Sequence, residues 1–165
     1  MYSTTLETPV GPLHLIADNN FLYRITLPNS HPPLPRTAPA PAGHRLICLA
    51  TSQLRQYFAG SRQHFDLPLA PQGTPFQLAV WQLIQQIPFG STLTYGELAA
   101  RLGSPNKARA VGGAANRNPL PLLIPCHRVL GAGGKLTGFA GGLEMKQFLL
   151  TLEQKKVQTS AAADV

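Results

Sequence analysis

The sequence is short of several things, and each shortage excludes a class of protein. Of its 165 residues only two are cysteine, Cys48 and Cys126. That is too few for a disulfide framework and fits a reducing, cytoplasmic setting, where a lone thiol stays available for chemistry. No apolar run comes near the roughly 18 residues that a membrane span needs. The N-terminus, Met1-Tyr2-Ser3-Thr4, lacks a basic segment followed by an apolar core, so no secretory leader is expected. Acidic residues are scarce: 7 Asp+Glu stand against 14 Lys+Arg, a net charge of +7. Between Leu98 and Lys135 there is no acid at all, yet Arg101, Lys107, Arg109, Arg117, Arg128 and Lys135 all fall there. A stretch of one sign suits a polyanionic partner such as nucleic acid, or a membrane surface; its bland alternative is an ordinary solvated face.

What is present divides into two halves. Apolar residues make up 44% of the chain, enough for one ordinary domain or two small ones. Residues 1–27 read as strands: Leu13–Ala17 and Phe21–Leu27 are short apolar runs split by the turn signal Asp18-Asn19-Asn20, which predicts an antiparallel hairpin. The proline-rich segment 28–43 reads as a loop. Ile47, Leu54 and Phe58 allow a helix from His44 to about Ala59, stopped by Gly60, and a further strand is expected around Phe65–Leu69. No chemistry is visible in this half.

Sharper signals follow. Thr74-Pro75-Phe76-Gln77 is a capping box with proline at the first helical position, and Phe76, Val80, Ile84 and Ile87 recur at helical spacing until Pro88-Phe89-Gly90. Thr94-Tyr95-Gly96-Glu97 opens a second helix ending at Gly103. Ser104-Pro105 starts a third at once, running to about Ala115. Two short helices joined by a tight turn, the second one basic, make a helix-turn-helix candidate, although plain helical hairpins share the pattern. The third helix is nearly bare of bulky side chains, and two adjacent glycines, Gly112 and Gly113, cost roughly 1 kcal/mol each relative to alanine. Either close helix packing or close approach of the backbone to a nucleic-acid groove would account for them, with Arg109 as the main projecting side chain. Leu120–Ile124 reads as a buried extended run. The last helix is expected over Leu143–Glu153 with Met145, Leu149 and Leu152 on one face, followed by a disordered tail over 155–165.

The candidate chemistry lies at Pro125-Cys126-His127-Arg128-Val129. A free thiol titrates near 8.5 and its thiolate is the nucleophile, so reactivity needs a base or a positive charge nearby. His127 and Arg128 are candidates for both. On an extended strand neighbouring side chains point to opposite faces, so Cys126 and His127 could interact only across a turn or through a water. A carboxylate would be needed to orient the imidazole; the glutamates of this half are Glu97, Glu144 and Glu153. The alternative is that Cys126 is a buried small hydrophobe.

The run Asn118-Pro119 through Ile124-Pro125-Cys126-His127-Arg128-Val129 resembles the active-site signature of the O6-alkylguanine-DNA alkyltransferases, or methylated-DNA–protein-cysteine methyltransferases. Thr74-Pro75-Phe76-Gln77, Val80-Trp81, Ile87-Pro88-Phe89-Gly90, Tyr95-Gly96-Glu97-Leu98-Ala99, Ala108-Arg109-Ala110-Val111-Gly112 and Gly138-Phe139-Ala140-Gly141-Gly142 resemble further blocks of that family, in its order and spacing. The likeness is strong over residues 74–153 and loose over 1–70.

The resemblance implies an α+β protein. A small N-terminal antiparallel sheet with a helix would occupy residues 1–73, and a mostly helical domain with a winged-helix-like helix-turn-helix residues 74–154. Cys126 would be the alkyl acceptor, His127 would take its proton through a water, Glu153 would hold the imidazole, and Asn118 would brace the cysteine turn. Tyr95, Val129 and Ala140 would contact the substrate base. Arg109 would fill the gap left by an extruded guanine, and Tyr95, Arg117, Ala110 and Ala115 would meet the DNA in its minor groove; composition alone would have suggested the major groove.

The activity implied is single-turnover repair of O6-alkylguanine in double-stranded DNA, with O4-alkylthymine as a second substrate. It would be carried out by a monomer with no metal or cofactor and no membrane attachment. Phe139-Ala140 stand where some members carry Tyr-Ser, which leaves the pocket width open. The N-terminal half has no cysteine cluster of the zinc-binding kind found in larger bacterial relatives; His44 and Cys48, four residues apart, could at most supply two ligands. Two rival readings remain: a non-enzymatic DNA-binding protein, whose lesion-binding kind replaces the cysteine retained here, and a cysteine hydrolase, which would turn over.

Overall fold

The computed structural model describes residues 1–30 and 34–163, and its fold is α+β. Three strands open the chain: β1 (Tyr2–Thr8), β2 (Gly11–Ala17) and β3 (Leu22–Thr26). β1 and β2 pair antiparallel from Tyr2↔Ala17 to Thr8↔Gly11. The turn into β3 is made by Asp18, whose carboxylate accepts the N–H groups of Asn20 and Phe21 at 2.7 Å each, as turn aspartates do. A fourth strand, β4 (Ala38–Pro39), lies parallel to β1, giving the order β3-β2-β1-β4. Thus part of the proline-rich segment joins the sheet edge, where prolines are tolerated; residues 31–33 of that segment lie outside the described residues.

Helix α1 (Arg45–Ala59) covers this sheet. Its N-cap is His44, whose Nδ1 accepts the Ile47 N–H, and it stops at Gly60, which takes the left-handed φ of 82°. Leu46, Ile47, Ala50, Leu54 and Tyr57 form its buried face, with Leu6, Leu13, Leu15, Leu22 and Ile25 buried in the sheet. The strand expected at Phe65–Leu69 is instead one bridge, with Leu22 N–H donating to Pro68 O and Ala70 N–H to Leu22 O. Pro68 has no N–H with which to extend the ladder.

The second half is helical. α2 (Pro75–Gln85) carries the complete capping box between Thr74 and Gln77 and buries Val80, Trp81 and Ile84. A short strand, β5 (Leu93–Thr94), leads into α3 (Tyr95–Arg101), where the Thr94 hydroxyl accepts the Glu97 N–H. The single helix expected from Ser104 is split. A 3-10 turn over Pro105–Lys107 precedes α4 (Ala108–Asn116). Ser104 makes no side-chain cap, and the first turn tightens onto an i→i+3 bond from Lys107 N–H to Ser104 O. The Trp81 indole N–H donates to Ala114 O at 2.9 Å and fastens α2 to α4. β6 (Val129–Leu130) pairs parallel with β5 and carries the chain out of the cysteine turn.

The last helix, α5, runs Leu143–Ala163, so the tail expected to be disordered from residue 155 is helical as far as described. Two contacts help extend it: Val157 packs so closely on Gly90 that an added Cβ there would lie 2.3 Å from it, and Lys156 crosses Gly60. Ala161, Ala162 and Ala163 are also the strongest helix formers. The buried apolar residues of both halves form one continuous cluster from Leu6 to Leu149, and Ile25 N–H donates to Pro119 O across the seam. Among the described residues, no helix is long and apolar enough to cross a membrane.

Trp81→Phe leaves the Ala114 carbonyl buried without its donor and removes part of a packed ring. It should cost about 2–4 kcal/mol, read from urea denaturation. A loss below about 0.5 kcal/mol would show that the α2–α4 tie carries no weight.

Candidate active site

The segment leading to Cys126 is a turn where an extended run was expected. Ile124 N–H donates back to Leu120 O at 2.8 Å, and Leu122 sits at a φ of 74°. A leucine in the left-handed region costs on the order of 1–2 kcal/mol, so something must hold it there. Asn118 does so from both sides: its Oδ1 accepts the Leu120 N–H at 2.9 Å and its Nδ2 donates to Ile124 O at 2.7 Å. Cys126–Arg128 then form a 3-10 turn. Successive side chains in such a turn fan out by about 120° instead of alternating by 180°. Protein encloses the turn on all sides, so Cys126, His127 and Arg128 are all buried although they point in different directions.

Glu153 on α5, 1% exposed, is the group that His127 and Arg128 reach. Its Oε2 accepts from His127 Nε2 at 2.5 Å and from the Tyr57 hydroxyl at 2.6 Å. Oε1 accepts from Arg128 Nε at 2.8 Å and from the Gly90 N–H at 3.2 Å, and Arg128 Nη2 adds a bond to Oε2 at 3.3 Å. Arg128 is further anchored by Nη1 donating to Ile87 O at 2.7 Å. Burial opposes charge on the Glu153 carboxyl, but the hydrogen bonds of His127 and Arg128, the Arg128 guanidinium and, in acid, the protonated His127 ring outweigh it and hold the group down at about 2. An ionised carboxylate only accepts, so the hydrogen on Nε2 must belong to His127. Burial pushes the imidazole's own pKa down, with Arg128 and Lys146 acting the same way against the pull of Glu153. The ring is accordingly neutral, and Nδ1, buried without a protein partner, keeps its lone pair. That nitrogen is a base, next in sequence to the thiol.

Burial pushes the Cys126 thiol up, so at rest it is protonated. The Asn118 carboxamide, the Lys146 ammonium and the amides of Cys126 and His127 act in the opposite direction and would stabilise a thiolate as it forms. Lys146 is itself fully buried, with Nζ donating to Val129 O at 2.6 Å and Thr137 O at 2.8 Å. Tyr95 lies across the site, its hydroxyl donating to Thr137 O at 3.4 Å and its ring facing both Lys146 Nζ and Gly112. Val129 is buried, whereas Ala140 is exposed on the loop before α5.

On α4, Arg109, Ala110, Gly113 and Asn116 are exposed together with the following Arg117, a face at helical spacing. Neither glycine is demanded by packing. A Cβ on Gly112 would make ordinary 3.8 Å contact with the Tyr95 ring, and one on Gly113 would meet nothing. Ala115, expected on this face, is instead buried at 4% exposure, because its helical position turns it toward Val111 and Ala114 in the core. His44 uses Nδ1 to cap α1 and Cys48 is exposed; among the described residues no cluster of three or more His, Cys, Asp or Glu could hold a metal.

Two participants, Tyr57 and Lys146, are not among the residues singled out from the sequence, and a third, Arg128, was given a different partner. Tyr57 lies in the half where no chemistry was visible, 96 residues from Glu153, and no sequence signal marks it. Lys146 was legible: it shares a helical face with Leu149 and Glu153, an odd place for lysine. Arg128 was noticed as a charge near the thiol, but its partner is the carboxylate.

A depressed carboxyl stabilises the fold above its unfolded value, and that contribution is lost as pH falls toward the folded value. For Glu153 the window runs from 4.5 down to about 2. Glu153→Gln should cost about 3–5 kcal/mol at pH 7 by stranding buried Arg128, and the gap from the unsubstituted protein should close across that window in acid denaturation. A constant gap would mean that Glu153 is not the titrating group.

The comparisons with known proteins agree with this geometry. Residues 1–71 match the family model described as 6-O-methylguanine DNA methyltransferase, ribonuclease-like domain, and residues 75–155 the one described as its DNA binding domain. The methylated-DNA–protein-cysteine methyltransferase of Methanosarcina acetivorans is 44% identical over 93% of this chain and 98% of its own. The constitutive one of Bacillus subtilis is 42% identical over 93% and 95% respectively. The crystal structure of Mycobacterium tuberculosis OGT in complex with DNA superposes with a TM-score of 0.88 at 40% identity, covering 94% of each chain. On these matches, and with the cysteine, histidine and glutamate brought together as described, the chain belongs to the methylated-DNA–protein-cysteine methyltransferase family.

Proposed function

We propose that the protein repairs DNA by direct reversal, moving the alkyl group of O6-alkylguanine onto Cys126 once and irreversibly. The observation that carries this reading is the neutral His127 with a free Nδ1, held by Glu153 beside a protonated thiol. His127 takes the Cys126 proton through a water molecule, and the sulfur then attacks the alkyl carbon. The S–C bond forms as the C–O6 bond breaks, and the electron pair leaves on the guanine. Because a full thiolate exists only while reacting, the buried site avoids carrying an uncompensated charge at rest. The product thioether cannot be cleaved by water or by the histidine, so the protein acts once.

The alkyl carbon is hidden inside the base stack, so the nucleotide must be turned out of the duplex, which costs a few kcal/mol. Arg109 occupies the gap in the stack, and the exposed face of α4, with Ala110, Gly113 and Arg117, lies in the minor groove. Its small side chains let the backbone approach. Tyr95, Val129 and Ala140 contact the base, and donors aimed at the guanine oxygen and ring nitrogens gain strength as charge develops there. Support for DNA as the partner comes from the acid-free basic stretch and from the relative crystallised with DNA. The protein works as a monomer in a reducing cytoplasm, where Cys126 stays free, and O4-alkylthymine is a secondary substrate.

Incubation with an O6-methylguanine oligonucleotide should add one methyl group to Cys126 and stop at one equivalent per protein, as measured by intact-protein mass spectrometry. Cys126→Ser should take none. Repair that leaves Cys126 unmodified, or that continues past one equivalent, would refute the single-use mechanism.

Arg109→Ala should slow repair of duplex DNA by about 10- to 100-fold, while leaving alkyl transfer from free O6-benzylguanine within about twofold of the unsubstituted protein. Equal losses on both substrates would remove its role in holding the duplex open.

A further inference from the structure

Tyr57 lies in the N-terminal domain, yet its hydroxyl shares an oxygen with the proton relay. We propose that Tyr57 is a positioning residue of the alkyl-transfer site: by donating to Glu153 Oε2 it fixes the carboxylate on His127 Nε2 and limits how tightly the imidazole holds a proton. This deepens the functional reading above and rests on it.

The geometry leaves the hydroxyl little freedom. Tyr57 and Glu153 are each 1% exposed, and their bond measures 2.6 Å. The ring is packed by Phe58, Phe65 and Phe89 at centroid distances of 5.3, 5.5 and 6.2 Å, so the hydroxyl cannot swing away. A buried phenol O–H needs an acceptor, and the one it faces is the oxygen that also receives His127. The other donors to this carboxylate are Arg128, from the cysteine turn, and the Gly90 amide, from the loop after α2. The charged or titratable groups acting on His127 besides Glu153 are Arg128 and Lys146, with Cys126 adjacent. Tyr57 is thus the only group from the first 74 residues on the carboxylate, among the described bonds.

Three donors share this oxygen, His127 and Tyr57 closely and Arg128 Nη2 at 3.3 Å, and they divide its charge between them. When His127 takes the thiol proton, it becomes an imidazolium against Oε2. If Tyr57 did not also draw on that oxygen, the carboxylate would hold the imidazolium more strongly. His127 would then stay protonated to higher pH, and a smaller fraction would be available as base. The carboxylate would also lose one of the contacts that orient it, and a loosened base is a slower one. A tyrosine that served only to tie the two halves together would affect stability and leave the proton affinity of His127 alone.

The test is Tyr57→Phe, which keeps the ring and removes the oxygen. In single-turnover transfer from an O6-methylguanine oligonucleotide, the acid limb of the pH–rate profile should move up by about half a pH unit or more, with the plateau falling about tenfold. Replacing Tyr57 by a fluorotyrosine, a stronger donor, should move the limb the other way. Phe65→Leu loosens the packing while keeping the hydroxyl, and should lower the unfolding temperature without moving the limb. Nitrogen NMR of labelled His127 supplies a readout independent of activity: its titration midpoint should rise in Tyr57→Phe. An unchanged limb and an unchanged midpoint would overturn the proposal. Absence of transfer by the unsubstituted protein would refute the functional reading instead, while the NMR midpoint still decides the role of Tyr57.

Discussion

One buried charge organises this molecule. The Glu153 carboxylate accepts from Tyr57, Gly90, His127 and Arg128, which come from α1, the loop after α2 and the cysteine turn. Taking a carboxylate out of water is costly unless its oxygens are fully met by well-placed donors. Each of those segments must therefore arrive in register, or the charge is stranded. Apolar packing brings the two halves into one cluster, but hydrophobic contact is not directional. The carboxylate supplies direction, and the same bonds that satisfy it set the tautomer of His127. Structural satisfaction and proton chemistry are served by one set of atoms.

Charge is sorted in a way that composition alone does not reveal. Arg109 and Arg117 face solvent around α4, where a polyanion could meet them. Arg128 and Lys146 are inside, one paired with Glu153 and the other bonded to backbone carbonyls. The acid-free stretch from Leu98 to Lys135 thus holds exposed cations and, in Arg128, a buried one, and Lys146 lies beyond it. A cation on the exposed helix is free to meet phosphates, while Arg128 is committed to the carboxylate at the centre of the site.

The local elements were largely legible. Gly60, Thr74 with Gln77, and Thr94 bound helices where capping chemistry says they should, because a cap is satisfied within a few residues. The errors came where a local pattern competed with something distant. Leu120–Ile124 looks extended by composition, yet Asn118 folds it into a turn. Residues from 155 on look like a polar tail, but contacts with Gly60 and Gly90 keep them helical. Ala115 looks like its neighbours on α4, and only the direction of the core says that it faces inward.

By itself, the sequence pointed to the thiol, the histidine beside it, the helix pair and its basic face, and through the cysteine motif to the family. All of these are matters of residue type at short spacing. Residue types alone left three glutamates open for the histidine, and the family resemblance named Glu153; the tertiary structure puts Glu153 on His127 and alone shows which nitrogen of that histidine is free. It alone also brought Tyr57, 96 residues away, to the same oxygen. The physical reason is that a buried charge is met by whatever donors the fold brings within hydrogen-bond reach, and that reach is a property of space, not of position along the chain.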